Sequence, residues 1–288
     1  MNKFSIFTDS ACDISPEILK EWGVVGVCLN FRFSGENTLY SDNDMTSEEF
    51  YARMREGKIA KTSAVNSEMF AKAFEEALKE GNDVLYVGFS SGLSNTYNAG
   101  RIAAEQLKED YPDRKIIAVD TLCASAGEGL ILRLACDKRD AGATIEETAA
   151  YVEEIRPRLA HWFTVDDLDY LKRGGRVSPA VAFVGNMLGI KPVLHVDDDG
   201  HLIKIDTVRG RKKAVAALAD KMVELEADVE HYPIYISHAD CRADVDFLCK
   251  QIEAKLGKQV ELITNVGTVI GAHAGPGTLA LFFVAKSR

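Results

Sequence analysis

"DVLYVGFSSGLSNTYNAGRIAAEQLKED", residues 83–110, predicts a strand, a polar turn and a helix in immediate succession. The run 83–89 is apolar and carries valines and aromatic side chains, which is typical of a buried strand. Residues 94–110 follow as a helix. A second strand, "KIIAVDT" at 115–121, comes directly after it. This order is the beginning of a sheet whose parallel strands are connected by helices.

The same alternation extends along the first half of the chain. Residues 3–8, "KFSIFT", read as a strand, and "SPEILKEWG" then reads as a helix with Ser15 as N-cap and Pro16 in its first turn. Further predicted strands and helices are at 24–33, 46–57, 67–81 and 126–142. In the segment 67–81 the apolar positions 70, 74, 77 and 78 have helical spacing. The pattern predicts a parallel, helix-flanked sheet.

The second half follows a different pattern after the predicted helix at 144–160. Strand-like runs become more frequent, and "VDDDGHL" at 196–202 has an Asp-Gly pair typical of a hairpin turn. We therefore expect an α/β fold of two domains, an N-terminal α/β domain at 1–160 and a C-terminal mixed α+β domain at 161–288.

Composition restricts the possible functions. The 288 residues are 47% apolar and 27% charged, with a net charge of -10, which disfavours binding to nucleic acid or an anionic membrane. No apolar run is long enough for a spanning helix, and the first residues lack the apolar core of a signal peptide. The six cysteines show no CxxC and no zinc-like spacing. We expect a cytoplasmic protein with free thiols, without a metal or cofactor.

Polar residues cluster where three predicted strands end, at 8–10, 90–94 and 120–121. Ligands of parallel α/β sheets bind beyond the carboxyl ends of the strands. One enzymatic interpretation uses "GFSSG", Gly88 to Gly92, as a nucleophile elbow with Ser90, followed by Asp240 and His273 in the order of an α/β-hydrolase. The short motif is common by chance. A nucleotide-binding enzyme is a weaker alternative, because neither a P-loop nor a well-placed G-x-G-x-x-G is found.

Binding of a carboxylate is the alternative chemistry, since hydroxyl, backbone N–H and imidazole groups all donate hydrogen bonds. Ser94 begins a predicted helix, and Thr62 is expected in a polar loop between two helices. His273 lies in "IGAHAGPG", residues 270–277, where Gly271 and Gly275 would let the backbone and imidazole approach a ligand. Each residue also has a plain structural interpretation: a helix cap, a turn residue and a structural histidine.

Nine motifs in a fixed order resemble the DegV family of bacterial fatty-acid-binding proteins, the lipid-carrying component of fatty acid kinase. They are "TDSACD", "KTSAVN", "FSSGLSNTYNAG", "DTLCASAGEG", "LDYLKRGGRVS", "IKPVL", "RGRKKA", "SHAD" and "GAHAGPG". The resemblance implies a two-domain fold with one long-chain fatty acid buried between the domains. By motif, Thr62, Ser94 and His273 would hold its carboxyl group.

The resemblance further implies that the protein itself catalyses nothing. A separate, dihydroxyacetone-kinase-like protein would phosphorylate the bound acid to an acyl phosphate. Ser63, Asn95 and Gly275 are expected at the rim of the site, and Arg176 and Arg209 are candidates for contact with the kinase. Arg209 also fits a solvated helix start.

Two departures from the family pattern affect the mouth of the site. The usual "TSQPS" reads "TSAVNS" here, and Asn95 stands where glycine is common. For the lipid tail, the segments 126–134 and 181–190 are candidate lining, although either could be a plain core helix.

Overall fold

The computed structural model describes residues 4–63, 66–178 and 189–288. Its strands are β1 (Phe4–Asp9), β2 (Val24–Val27), β3 (Asn30–Phe33), β4 (Tyr40–Ser41), β5 (Ala60–Ser63), β6 (Asp83–Gly88), β7 (Ile116–Asp120), β8 (Leu159–Thr164), β9 (Ile190–Val196), β10 (Leu202–Arg209), β11 (Tyr235–His238), β12 (Leu262–Asn265) and β13 (Leu279–Val284). Its helices are α1 (Pro16–Glu21), α2 (Ser47–Arg55), α3 (Ser67–Lys79), α4 (Thr96–Asp110), α5 (Ala126–Asp140), α6 (Ile145–Ile155), α7 (Asp169–Arg173), α8 (Arg211–Glu224), α9 (Arg242–Leu256) and α10 (Thr268–Ala274).

The N-terminal sheet has the order β2-β1-β6-β7, and all its strands are parallel. Every residue of β6 is buried, because helices cover both faces of a parallel sheet. Helix α3 buries the predicted apolar positions, Phe70, Phe74, Ala77 and Leu78. Ser15 caps α1 by accepting a hydrogen bond from the Ile18 amide. The predicted parallel, helix-flanked sheet is confirmed.

A small antiparallel sheet of order β4-β3-β5 was not anticipated from the sequence. The apolar run 24–33 looks like one strand but divides between two sheets. Its first part pairs in parallel with β1, and its second part pairs antiparallel with β5. Thr62 consequently lies in a strand, paired with Phe31, and not in the loop that we expected. Local periodicity did not show this, because the partner strand is some thirty residues away.

The C-terminal sheet is mixed, in the order β10-β9-β8-β13-β11-β12. Strands β9 and β10 form the predicted hairpin, in which the Asp197 amide donates to the His201 carbonyl and Gly200 has a φ of 80°. A cross-strand row places Ser237, Ala280 and Phe163 side by side. The next row on the same face holds Tyr235, Phe282 and His161.

Helix α5 connects the two large sheets. It contacts β6 of the first sheet and β8, β11 and β13 of the second. Because the first sheet ends at Asp120 and the second begins at Leu159, we propose a domain boundary near residue 160. Among the described residues, no helix combines the length and apolar character needed to span a bilayer.

Candidate functional site

A cavity of about 750 Å³ lies among the three sheets, and the three predicted carboxylate donors line it. Thr62 comes from β5, Ser94 from the turn before α4 and His273 from α10. Apolar side chains supply most of the remaining wall. They include Leu29, Met54, Phe89, Leu93, Phe163, Tyr170, Leu171, Val196, Leu202, Val269, Ile270 and Phe282.

Thr62 and His273 are 211 positions apart in the chain but are in direct contact. The Thr62 hydroxyl oxygen lies 2.9 Å from Nε2 of His273. When Nε2 carries the proton, a carboxylate that replaces this mutual bond would meet imidazole and hydroxyl as two adjacent donors, one for each of its oxygens. Both side chains are only half-buried, so a ligand in the cavity can reach them.

The surroundings of His273 favour its neutral form. Burial of the imidazole, with a smaller effect from the positive charge of Arg176, lowers the pKa of His273 from 6.5 to about 4. Its Nδ1 atom has no hydrogen-bond partner among the described residues. That atom faces Gly174, where an added Cβ would come within 2.3 Å of it. The imidazole is therefore held between Thr62 and the backbone of Gly174.

Ser94 lines the same cavity. Its hydroxyl oxygen accepts from the amide of Thr96, the first residue of α4, at 3.2 Å and lies 2.9 Å from the Thr96 hydroxyl. The prediction that Ser94 begins a helix is thus correct to within two residues. A ligand carboxylate in the cavity could replace the Thr96 hydroxyl as the acceptor of the Ser94 proton.

Arg176 links the segments that carry these donors. Its Nε donates to the Leu93 carbonyl, next to Ser94, at 3.2 Å, and its guanidinium also bonds the Gly174 carbonyl, beside His273. Burial lowers the pKa of the guanidinium, yet the group stays charged at neutral pH. The site therefore combines neutral donors with one half-buried positive charge.

Comparison with known proteins identifies the family. A family model described as an uncharacterised protein of the DegV family matches residues 3–286. The chain belongs to the DegV family. A DegV domain-containing protein of Clostridium perfringens is 42% identical over 293 residues, covering 100% of this chain and 99% of the relative.

Solved structures of DegV proteins share the fold. A fatty-acid-binding DegV protein of Thermus thermophilus is 30% identical, with a TM-score of 0.86 and coverage of 98% of this chain and 99% of that chain. A stearic-acid-binding protein of Eubacterium ventriosum is 27% identical, with a TM-score of 0.89 and coverage of 98% of both chains.

The rim of this DegV cavity differs in part from the expected one. Ser63 and Asn95 are among the residues that line the cavity. Gly275 is not among the lining residues, and a Cβ there would come within 2.4 Å of the Tyr170 ring. Arg209 is exposed at the end of β10 and is not among the lining residues. Arg173, which stacks over the Tyr170 ring at 4.5 Å, is a lining cation that we did not single out from the sequence.

The glycines around His273 serve packing within the DegV fold. We expected Gly271 and Gly275 to let the backbone and imidazole approach a ligand, but residues 268–274 form α10. A Cβ at Gly271 would come within 2.3 Å of the Tyr51 hydroxyl, and one at Gly275 within 2.4 Å of the Tyr170 ring. Close contact between helix α10 and these two aromatic side chains is therefore what requires glycine.

The structure shows no lining residue in the described parts of the two candidate lining segments, 126–134 and 181–190. Residues 126–134 belong to α5 and are buried except for Arg133, while the cavity wall instead uses Ala124 and Ser125 just before this helix. Gly127 leaves room for the His161 ring, not for a ligand. Of the segment 181–190, residues 181–188 lie outside the described residues, and 189–190 do not line the cavity. Phe163 and Phe282 line the cavity, but β8 and β13 are buried along their whole length, so no alternation in their sequences indicated these positions.

The hydrolase alternative is not supported. Ser90 is fully buried and donates its hydroxyl proton to the Gly200 carbonyl at 2.9 Å. Asp240 forms an exposed ion pair with Arg55, while His273 is bonded to Thr62. The three residues of the supposed triad therefore have separate structural partners, and Ser90 is not on the cavity wall.

Proposed function

We propose that this DegV protein binds a long-chain fatty acid in the cavity, with Thr62, Ser94 and His273 holding the carboxylate. The observation that carries the proposal is the placement of these donors at one apolar cavity, with Thr62 and His273 in direct contact. DegV proteins of known structure described as fatty-acid-binding support the ligand class.

The size and lining of the cavity suit a lipid tail. A volume of about 750 Å³ falls within the range of small-molecule sites, and the wall is mainly aliphatic and aromatic. Burial of about fourteen methylenes at ~0.8 kcal/mol each supplies roughly 11 kcal/mol of driving force. The polar donors therefore need only orient and satisfy the head group.

The charges at the mouth suit a carboxylate. A buried carboxylate without partners would be strongly disfavoured or would take up a proton. Arg176 provides the compensating positive charge, and its bonds to the Leu93 and Gly174 carbonyls fix it beside the three donors. We assign Arg176 this supporting role in addition to the possible contact with a kinase.

A second part of the proposal concerns the fate of the bound acid. The protein presents the carboxylate to a separate, dihydroxyacetone-kinase-like protein, which phosphorylates it to an acyl phosphate. Lys61 and Arg173 support this role. Both line the cavity and are exposed, so that they offer positive charges to a nucleotide-bearing partner. Arg209 is exposed as well and can be tested independently of the cavity.

Binding is tested by native mass spectrometry and titration. Protein purified from bacteria should carry a mass that matches a fatty acid, and delipidated protein should take up stearic acid. Thr62→Val, Ser94→Ala and His273→Ala should each weaken uptake roughly tenfold, because a hydrogen bond to a charged group contributes about 1.5–3 kcal/mol. Unchanged affinity in all three variants would contradict the site, and labelling of Ser90 by a fluorophosphonate would favour the hydrolase.

The kinase step is tested by reconstitution with a fatty acid kinase protein and ATP. Arg209→Ala should lower the rate of acyl-phosphate formation while the dissociation constant for stearic acid stays unchanged. Arg176→Ala should lower the rate and raise the dissociation constant, since Arg176 also supports carboxylate binding. If Arg209→Ala leaves the rate intact, this residue does not contact the partner.

A further inference from the structure

Helix α10 carries His273 but lacks a cap from its own sequence. Its N-cap residue is Gly267, which has no side chain to accept hydrogen bonds from the amides of the first turn. Such amides need an acceptor when they are buried. At only seven residues, the helix gains little stability from its own hydrogen bonds.

Asp42, from a distant part of the chain, supplies the missing acceptor. Its Oδ1 atom accepts from the Thr268 amide at 3.0 Å, from the Thr268 hydroxyl at 2.5 Å and from the Val269 amide at 3.3 Å. Asp42 is 9% exposed. Gly267 itself is in close contact with Asp13, whose Oδ1 atom accepts from the Gly267 amide at 2.9 Å and would lie 2.8 Å from a Cβ there. The start of α10 is therefore held by a residue 226 positions away.

The small sheet connects Asp42 to the other carboxylate donor. Asp42 follows β4 directly, and its amide donates to the Leu29 carbonyl just before β3. Within the sheet, Tyr40, Phe31 and Thr62 form one cross-strand row. Thr62 is thus connected to Asp42 by the pairing of β5, β3 and β4. Asp42 in turn is hydrogen-bonded to the helix that carries His273. The hydrogen bond between Thr62 and His273 closes this loop.

We propose that Asp42 is a positioning residue that fixes the distance between Thr62 and His273 by capping α10 from the neighbouring sheet. The inference rests on the proposed binding of a fatty acid carboxylate by this pair. Asp42 does not line the cavity and acts only through the helix. Its loss should let α10 move relative to β5, so that the two donors no longer meet one carboxylate.

The test compares a fatty acid with its methyl ester, which keeps the tail and lacks the carboxylate. Stearic acid and methyl stearate are titrated into delipidated protein, and the ratio of the two affinities is measured. Asp42→Ala should lower the preference for the acid roughly fivefold or more, as expected for the loss of a helix cap. Asp42→Asn, whose amide oxygen can still accept, should restore most of the preference.

A matched control separates positioning from general stability. Thr144→Ala removes the N-cap of α6, a helix that does not line the cavity, and should leave the ratio of affinities unchanged. If Asp42→Ala does not fold, Thr268→Val removes one of the three bonds and should lower the ratio more modestly. A ratio that stays at the wild-type value in the Asp42 or Thr268 variant would overturn the proposal.

The double variant Asp42→Ala with His273→Ala provides a second readout. If Asp42 acts through His273, the two losses in the ratio are not additive, and the double variant resembles His273→Ala alone. Fully additive losses would also overturn the inference. Wild-type protein that shows no preference for the acid would instead contradict the carboxylate site itself.

Discussion

At the scale of single residues, the position of the His273 imidazole depends on a glycine that touches it. An alanine Cβ at Gly174 would come within 2.3 Å of Nδ1, so Gly174→Ala should displace the ring from Thr62. We expect the affinity for stearic acid to fall roughly tenfold. Lys172→Ala, at an exposed position in the same turn of the chain, is the control. Equal affinities in wild-type and Gly174→Ala protein would show that the contact is unimportant.

The pKa of His273 makes a second residue-scale prediction. Its pKa is 6.5 when solvated and about 4 in the folded protein without ligand. Between these values the unfolded chain binds a proton that the folded protein does not, so stability falls as the pH falls from 6.5 towards 4. At higher pH the penalty disappears, because both states are neutral. Between pH 7 and pH 5, His273 alone should lower the free energy of unfolding by about 2 kcal/mol.

Denaturant titration of delipidated wild-type and His273→Gln protein at both pH values measures this contribution. Between pH 7 and pH 5, the free energy of unfolding of the wild type should fall by about 2 kcal/mol more than that of the variant. Equal losses would indicate that His273 titrates normally in the folded protein.

The resemblance of the motifs to the DegV family singled out Thr62, Ser94 and His273 as carboxylate ligands, since each residue alone also fits a turn residue, a helix cap or a structural histidine. The contacts that fix these residues could not be derived in the same way. Gly174 and Asp42 act through distances to residues far away in the chain, and nothing in their local sequence shows those partners.

At the scale of elements, the contact between α2 and α10 should contribute measurably to stability through a single hydroxyl group. Tyr51 is fully buried and donates to the Val266 carbonyl at 2.7 Å, just before α10. Tyr51→Phe removes this buried hydrogen bond and should lower the free energy of unfolding by about 1–2 kcal/mol. Tyr111→Phe, which removes a part-buried bond to Glu75, should have a much smaller effect. If the free energy of unfolding fell equally in both variants, the buried hydrogen bond between α2 and the segment before α10 would have no special role in stability.

Elements with strong local signals were predicted correctly, whereas those defined by distant partners were not. Helix α3 and the β9–β10 hairpin follow from apolar spacing and an Asp-Gly turn. Strand β5 has four residues and exists because β3 pairs with it. Helix α10 is glycine-rich and depends on Asp42, so its sequence alone resembles a loop.

At the scale of the whole molecule, the cavity couples ligand binding to stability. A ligand that binds only the folded protein stabilises it by about 2.7 kcal/mol at a free concentration of 100 times its dissociation constant. We therefore expect saturating stearic acid to raise the melting temperature of delipidated protein by several degrees, and methyl stearate to raise it less. Differential scanning calorimetry measures both shifts. Equal shifts would indicate that the carboxylate is not recognised.

The two large sheets follow from the change of pattern near residue 160, but their mutual placement does not. From the sequence, the first residues of helix α5 could be either cavity lining or plain core, and the helix connects the sheets through its buried side chains. The wall of the cavity comes from β8, β13 and the small sheet, which meet only in the folded chain.

A crystal structure of the protein with stearic acid tests the central claim most directly. The account predicts one carboxylate within hydrogen-bonding distance of the Thr62 hydroxyl, the Ser94 hydroxyl and Nε2 of His273. The tail should extend along Phe163 and Phe282. A carboxylate bound away from these three residues, or a lipid outside the cavity, would contradict it.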